Sequence, residues 1–189
     1  MHPLITETEP LTDGVVLRPA SLDDAEVLAR AVRRSRDHLS PWDPERPESY
    51  YTTEGQAERL RAQAEKGTAG LLVPWLLWDG GAEEVAGAIT LSHMSPAPLL
   101  SANLGYWIDV TYAGRGLATA ATTAVCRIAD ERLGLHRVEA GTLLDNAASQ
   151  RVLAKCGFEE FAFARAYLHI NGAWRDHRLF QRILNDRTP

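Results

Sequence analysis

Little cysteine, no long apolar run and no surplus of positive charge mark this 189-residue chain, and each shortage removes a class of function. Cys126 and Cys156, each inside a predicted helix, make no disulfide framework, so a reduced, cytoplasmic setting is expected rather than secretion. The longest apolar stretch, Ala69 to Trp78, is interrupted by Pro74 and falls short of the ~20 residues a membrane-spanning helix needs, so no membrane is expected as partner. Met1 to Glu7 lack the basic-then-apolar pattern of a secretory leader. A net charge of −5 and a pI near 5.7 argue against nucleic acid, whose phosphates call for clustered positive charge. His93 has no second histidine or carboxylate at ligand spacing, so no metal is expected. There is no repeat and no low-complexity segment.

What is present is a length and a hydrophobic content of 45% that suit one packed domain over residues 1–189. The chain is organised around Thr111-Tyr112-Ala113-Gly114-Arg115-Gly116-Leu117-Ala118-Thr119. Before it, Asn103 to Ile108 fits a pleated surface. After it, Leu117, Ala121, Ala124, Val125, Ile128 and Leu133 line one side of a helix of about 116–133, with Thr119, Thr122, Thr123, Cys126, Arg127, Asp130 and Glu131 on the other. A strand feeding a glycine turn into a helix leaves the first amides unpartnered at the positive end of the macrodipole, which suits a phosphate. Gly114 and Gly116 let a ligand reach the backbone; a plain flexible turn is the alternative. A Walker loop fails, because no lysine lies between Lys66 and Lys155. A dinucleotide fingerprint is a near miss, with Thr119 where glycine or alanine is wanted and no earlier strand-helix repeat, and it stays as the weaker alternative.

The stretch resembles the acetyl-CoA loop of the GCN5-related N-acetyltransferases, the GNAT superfamily, written Gln/Arg-x-x-Gly-x-Gly/Ala. Thr111 stands in place of Gln or Arg, a departure shared with the RimJ/RimL-like branch. Asp145 to Phe158 is similar to that branch's Asn-x-x-Ser-x-x-x-Leu-x-Lys-x-Gly-Phe segment. Arg165-Ala166-Tyr167 with Asn171 to His177 resembles its closing hairpin. The resemblance covers roughly residues 102 to 182. It implies an α+β fold with a mixed, mostly antiparallel sheet of about seven strands, and a metal-independent transfer of acetyl from acetyl-CoA to a primary amine.

Read in order, Gly14 to Pro19 is a strand, and Ser21 caps a helix running to Arg34. Residues 35 to 52 are too proline-rich for a regular element and too aromatic for a linker. Thr53 and Gln56 have the spacing of a capping box. Leu71–Trp78 and Glu84–Leu91 form a hairpin, Pro74 placing its first strand at an edge or bulge. Further strands are expected at about 102–108, 137–142, 159–169 and 174–182, and a helix from Asn146 to Cys156. Gly157 would take the left-handed position after it.

Transferred residue by residue, the resemblance gives these roles. A main-chain N–H of the Trp107–Ile108 stretch faces the oxyanion; Val110 and residues Gly114, Arg115, Gly116, Leu117, Ala118 and Thr119 hold the diphosphate. Arg151 and Lys155 meet phosphates, or are merely solvated. Asn146 holds the pantetheine or acetyl end, or only caps its helix. Leu153 replaces the tyrosine acid of many members, so Ser149 is the proton donor for the leaving thiolate. The general base is the least marked role, and Glu139 is its candidate. Glu139 lies two residues before Gly141, where related enzymes carry a glutamate, but an ion pair with Arg137 or Arg151 competes. The glutamate of RimL's hairpin falls on Leu168. Trp42, Tyr50 and Tyr51 are placed on the acceptor wall. An acceptor with a weakly basic amine, the N-terminal α-amine of a protein or peptide such as a ribosomal protein, is expected. A small amine such as an antibiotic, a non-catalytic acyl-CoA sensor and a homodimer are left open.

Overall fold

Where alternation and turn signals are strong, strands and helices form as expected. The computed structural model describes residues 7–188, so the leader reading of Met1 to Thr6 lies outside them. The elements are β1 (Glu9–Pro10), β2 (Val15–Pro19), α1 (Ala25–Arg34), α2 (Arg36–Leu39), α3 (Thr53–Thr68), β3 (Leu72–Asp79), β4 (Glu84–Ser95), β5 (Ser101–Ile108), α4 (Leu117–Glu131), β6 (Arg137–Leu143), α5 (Ala147–Lys155), β7 (Glu159–Ile170) and β8 (Ala173–Ile183). Short 3-10 turns sit at Leu22–Asp24, Glu48–Tyr51 and Val110–Tyr112. The fold is α+β. The sheet runs β1-β2-β3-β4-β5-β6-β8-β7 and has 8 strands rather than about seven, the addition being β1 against β2.

Alternation sorts side chains to two cores. Trp75 and Leu77 join Ala102, Leu104, Val138 and Ala140 under α4 and α5, whereas Leu76, Val85 and Ala88 pack with Leu28, Val32 and Leu60 of α1 and α3. Ser21 makes the expected cap and, beyond that expectation, a full capping box, with Asp24 reaching back to its amide. The next helix is capped by Thr52, not Thr53: the Thr52 hydroxyl accepts from the Gly55 amide, and buried Gln56 donates instead to the Tyr50 carbonyl. Gly55 is required there, since a Cβ would lie 1.8 Å from the Ser49 carbonyl oxygen.

Three expectations need correction. The proline-rich 35–52 segment carries regular structure, α2 and one 3-10 turn, because its prolines fall outside those short pieces. β3 is an interior strand, and its irregularity falls at Leu77/Trp78 rather than at Pro74. Proline is tolerated because β2 ends opposite Trp75: the Pro74 carbonyl, which shares an edge with its nitrogen, already accepts from the Ala20 loop amide. Finally, Thr122 and Cys126 are buried, so the polar side of α4 is narrower than its pattern indicates. That side also meets the end of α5, where the Cys156 thiol lies 3.5 Å from the Thr119 carbonyl and 3.6 Å from the Thr123 hydroxyl.

The feature that positions the site is a fork. β5 and β6 run parallel, pairing only from Ser101↔Arg137 to Asn103↔Glu139, although β5 continues to Ile108 and β6 to Leu143. Beyond the third pair the strands diverge, and their facing backbone groups lose each other as partners.

Candidate active site

The fork presents different chemistry on its two faces, and alternation assigns each residue. Counting from the last pair, Gly105 and Gly141 lie two residues along their strands, and Tyr106 and Thr142 three. The first two face the α1/α3 side, the second two the α4/α5 side. At these positions, then, the α1/α3 face of the fork carries no side chain, and the other face carries hydroxyls. Along the edge itself, the Asp109 amide donates back to the Ala86 carbonyl of β4 at 2.9 Å. Alternation therefore turns the amides of Ile108 and Tyr106 away from β4, into the gap. Trp107, also expected here, packs its ring against the α1/α3 core, and its Nε1 is buried without a partner.

At the open end of β5 the chain enters α4 through Gly114 and Gly116, with φ of 79° and 78°. A Cβ on either would meet nothing within 4 Å. Gly116 is the N-cap and has no side chain to cap with, so the amides of Leu117, Ala118 and Thr119 lack intrahelical partners. No loop carbonyl or side chain accepts from the backbone amides of residues 114–119 among the described residues. The cradle is open, is lined by donors and sits at the positive end of a 15-residue helix. It fits the diphosphate that the sequence resemblance implies. Leu117 contributes only its amide, its side chain being core.

This cradle has a rigid base. Asp109, fully buried, accepts from the Thr111 amide at 2.9 Å and hydroxyl at 2.7 Å, and from Arg34 Nε of α1 at 3.0 Å. Burial pushes the Asp109 carboxylate up, but Arg34 and Thr111 together hold it below the ordinary range. The Ser35 hydroxyl accepts from the Val110 amide, and the Tyr112 hydroxyl donates to Asp79 at 2.9 Å. Arg115 lies 3.1 Å from Asp13 and over the Tyr112 ring. Exposed pairs of this kind are weak, so Arg115 is available to a phosphate.

Ser149, in the first turn of α5, meets the sequence-missed residue of this face. Its Oγ lies 2.8 Å from the Tyr106 hydroxyl, which is also 3.4 Å from the Ser149 carbonyl. Burial pushes the Tyr106 phenol up to about 12, only partly offset by Ser149, so it stays protonated. A second hydroxyl, Thr142 Oγ1, is buried on the same face with no partner. Asn146 caps α5 by accepting from the Ser149 amide at 3.0 Å, the plainer of its two expected roles. Arg151 and Lys155 are exposed along the same helix.

On the opposite face Glu139 shares a side with Gly141, as spacing requires, but Arg137 lies 2.8 Å from it, which is the competing role foreseen for it. Leu168, at the position of the RimL hairpin glutamate, is exposed and apolar. Behind Gly141 stand Leu179, His177 and Tyr167, each 3.5 to 3.7 Å from where its Cβ would be. Further out is a cleft of about 320 Å³ between α2, the 43–51 segment and the β7–β8 turn. Tyr50 and Tyr51 line it, under Arg46 and Arg36 respectively; Trp42 is exposed outside it. The Asn171 amide donates to the Asp43 carbonyl, closing one end. No cluster of three metal-ligating side chains and no helix able to cross a membrane occurs among the described residues.

Known proteins resemble this chain in sequence and fold. Residues 15–159 match the model of the acetyltransferase (GNAT) domain. The chain is 34% identical over 178 residues to the [ribosomal protein uS5]-alanine N-acetyltransferase of Escherichia coli K12, covering 94% of this chain and 92% of that one. The ribosomal-protein-S5-alanine acetyltransferase of Vibrio fischeri superposes with a TM-score of 0.92 at 30% identity, over 97% and 100% of the two chains. Mycobacterium smegmatis RimJ, in complex with CoA-disulfide, superposes with a TM-score of 0.90 at 29% identity, over 97% and 90%.

Proposed function

The chain belongs to the GNAT acetyltransferase family and is an N-acetyltransferase of the RimJ/RimL ribosomal-protein type; from that premise we propose that its acceptor is the N-terminal α-amine of a protein or peptide. The carrying observation is the fork, with amides and hydroxyls on one face and bare backbone on the other. Acetyl-CoA supplies a thioester carbonyl open to an amine, and a sulfur that leaves as a thiolate with a pKa near that of cysteine, about 8.5.

The protein's own groups then divide the work. Amides of residues 114–119 hold the diphosphate, with Val110 beside them and Arg115, Arg151 and Lys155 adding charge. The amides of Ile108 and Tyr106, in the stretch that includes Trp107, face the carbonyl oxygen where negative charge develops. Ser149 donates a proton towards the sulfur, and Asn146 fixes the turn that carries it. Tyr50 and Tyr51 form the acceptor wall; Trp42 lies outside the cleft they line.

What supports an α-amine is the cost of making the nucleophile. An α-ammonium with a pKa near 8 loses its proton at pH 7 for about 1.4 kcal/mol, a lysine near 10.4 for about 4.6 kcal/mol. Glu139 is engaged by Arg137 and Leu168 brings no carboxylate, so the face holds no free carboxylate base at the expected positions. One domain working in the cytoplasm completes the proposal. Free thiol release measured in parallel with N-terminal peptides, free lysine and aminoglycosides tests it. Peptides should win by tenfold or more, roughly the 1.4 kcal/mol per decade of the scale; preference for an aminoglycoside would replace the acceptor, and release with none would refute the activity.

A further inference from the structure

Resting on the acetyltransferase reading, we propose that His177 is the general base of the reaction, taking the proton of the acceptor nitrogen at its Nε2. The tautomer follows from its neighbour. His177 Nδ1 lies 3.0 Å from the Arg175 carbonyl oxygen, which can only accept. Nδ1 therefore carries the hydrogen, and the neutral ring keeps its lone pair on Nε2. No partner for Nε2 exists among the described residues.

The ring is 3% exposed, yet it is not sealed from the fork. Its Cδ2, the carbon bonded to Nε2, is 3.7 Å from the point where Gly141 would carry a Cβ, and Gly141 is itself exposed. Gly141 therefore places no side-chain atoms between the fork and that edge of the ring. Across the fork Gly105 is equally bare, with nothing within 4 Å of its Cβ position. An amine entering between the two glycines has Nε2 beside it, on the face that also carries the cleft. The charged or titratable groups around His177 are Tyr167 of β7, with ring centres 5.4 Å apart, Arg175 two residues back on β8, and Glu139 of β6, which Arg137 engages.

The step balances. The nitrogen lone pair forms the N–C bond, the C–S pair leaves with sulfur, Ser149 protonates it, and Nε2 takes the proton shed by nitrogen. Water carries that proton on and restores Ser149. A neutral imidazole with a ring nitrogen free to accept is the side chain most often used for such a transfer.

His177→Gln should lower kcat about 100-fold, the lower end for loss of a general base, with the KM for acetyl-CoA unchanged within about twofold. The acid limb of its pH profile should flatten, and added imidazole should restore turnover to His177→Ala, as packing alone would not allow. Independently of turnover, long-range ¹H–¹⁵N spectra of the CoA complex should show the Nδ1–H tautomer, and the Nε2 resonance should move when an acceptor peptide is added. CoA affinity checks that both variants are folded. Unchanged kcat and acid limb in His177→Gln, or an Nε2 resonance indifferent to the peptide, would overturn the proposal. Absence of thiol release by the wild-type protein would instead strike the acetyltransferase reading, leaving the resonance to decide this one.

Discussion

The two faces of the fork are built from different material. Under α4 and α5, the fork offers main-chain amides and uncharged hydroxyls, braced by Asp109 with Arg34 and by Tyr106 with Ser149. On the α1/α3 face, Gly141 backs onto a histidine, Gly105 faces open space, and the cleft is walled by ion-paired side chains such as Arg36–Glu48 and Arg46–Asp43. A fixed ligand such as a nucleotide can be met by backbone, which any sequence possesses once glycine clears the way. A variable acceptor needs side chains, which substitution can retune without disturbing the first face. The contrast predicts that variants on the helix side change cofactor affinity, chemistry or stability while leaving acceptor choice alone.

Gly116→Val should have the largest effect. A β-branched residue at φ near +78° is strained, and its branches fill the space beside the amides. Two charge-assisted bonds lost, about 1.5 kcal/mol or more each, mean roughly 100-fold weaker CoA binding by calorimetry. The KM for acceptor should not move; if it does, the faces are not independent.

Asp109→Asn should cost about 2 kcal/mol in denaturant unfolding, by removing the charge that Arg34 and Thr111 share. Because the folded carboxylate sits below its unfolded value, the stabilisation is full above about pH 4 and is lost as pH falls through the lower folded value. The acid-unfolding limb should therefore flatten in the variant, and an unaltered limb would remove Asp109 as the base of the cradle.

Ser149→Ala should lower kcat about tenfold with CoA affinity nearly intact, the modest size reflecting a thiolate that leaves readily on its own. Unchanged turnover would take Ser149 out of the chemistry. The smallest effect, of opposite sign, is expected for Thr142→Val: deleting a buried hydroxyl with no partner should stabilise the ligand-free protein by about 1 kcal/mol. A destabilised Thr142→Val would mean that the hydroxyl has a partner after all.

Much of the helix-side face was readable in advance because it is coded locally. Gly114, Gly116 and Asn146 announce themselves through turn and cap chemistry, Ser149 is marked only by the family resemblance, and the strand-turn-helix order follows from periodicity. Tyr106, Thr142 and His177 were missed because their meaning depends on where β5 and β6 part, which no local pattern encodes. A signal for Tyr106 did exist: alternation around Trp107 puts it on the helix side, opposite the residue chosen. Trp42 illustrates the converse. Its aromatic character suggested a wall, but the short helix α2 carries it out of the cleft that Tyr50 and Tyr51 line. Thr52 took the cap predicted for Thr53 because Gln56 was drawn into the Tyr50 carbonyl instead.

Between Asn103 and the tip of β5 the sheet lacks rungs. Only three residue pairs stitch β1–β5 to β6–β8, whereas β6 and β8 share seven. An extended ligand threaded through that gap would act as mortar, lending the rungs the strands do not give one another. Each tenfold excess of such a ligand over its Kd then adds about 1.4 kcal/mol against unfolding. The seam, rather than the periphery, should be where amide hydrogens exchange fastest in the empty protein and slow most when the nucleotide is added.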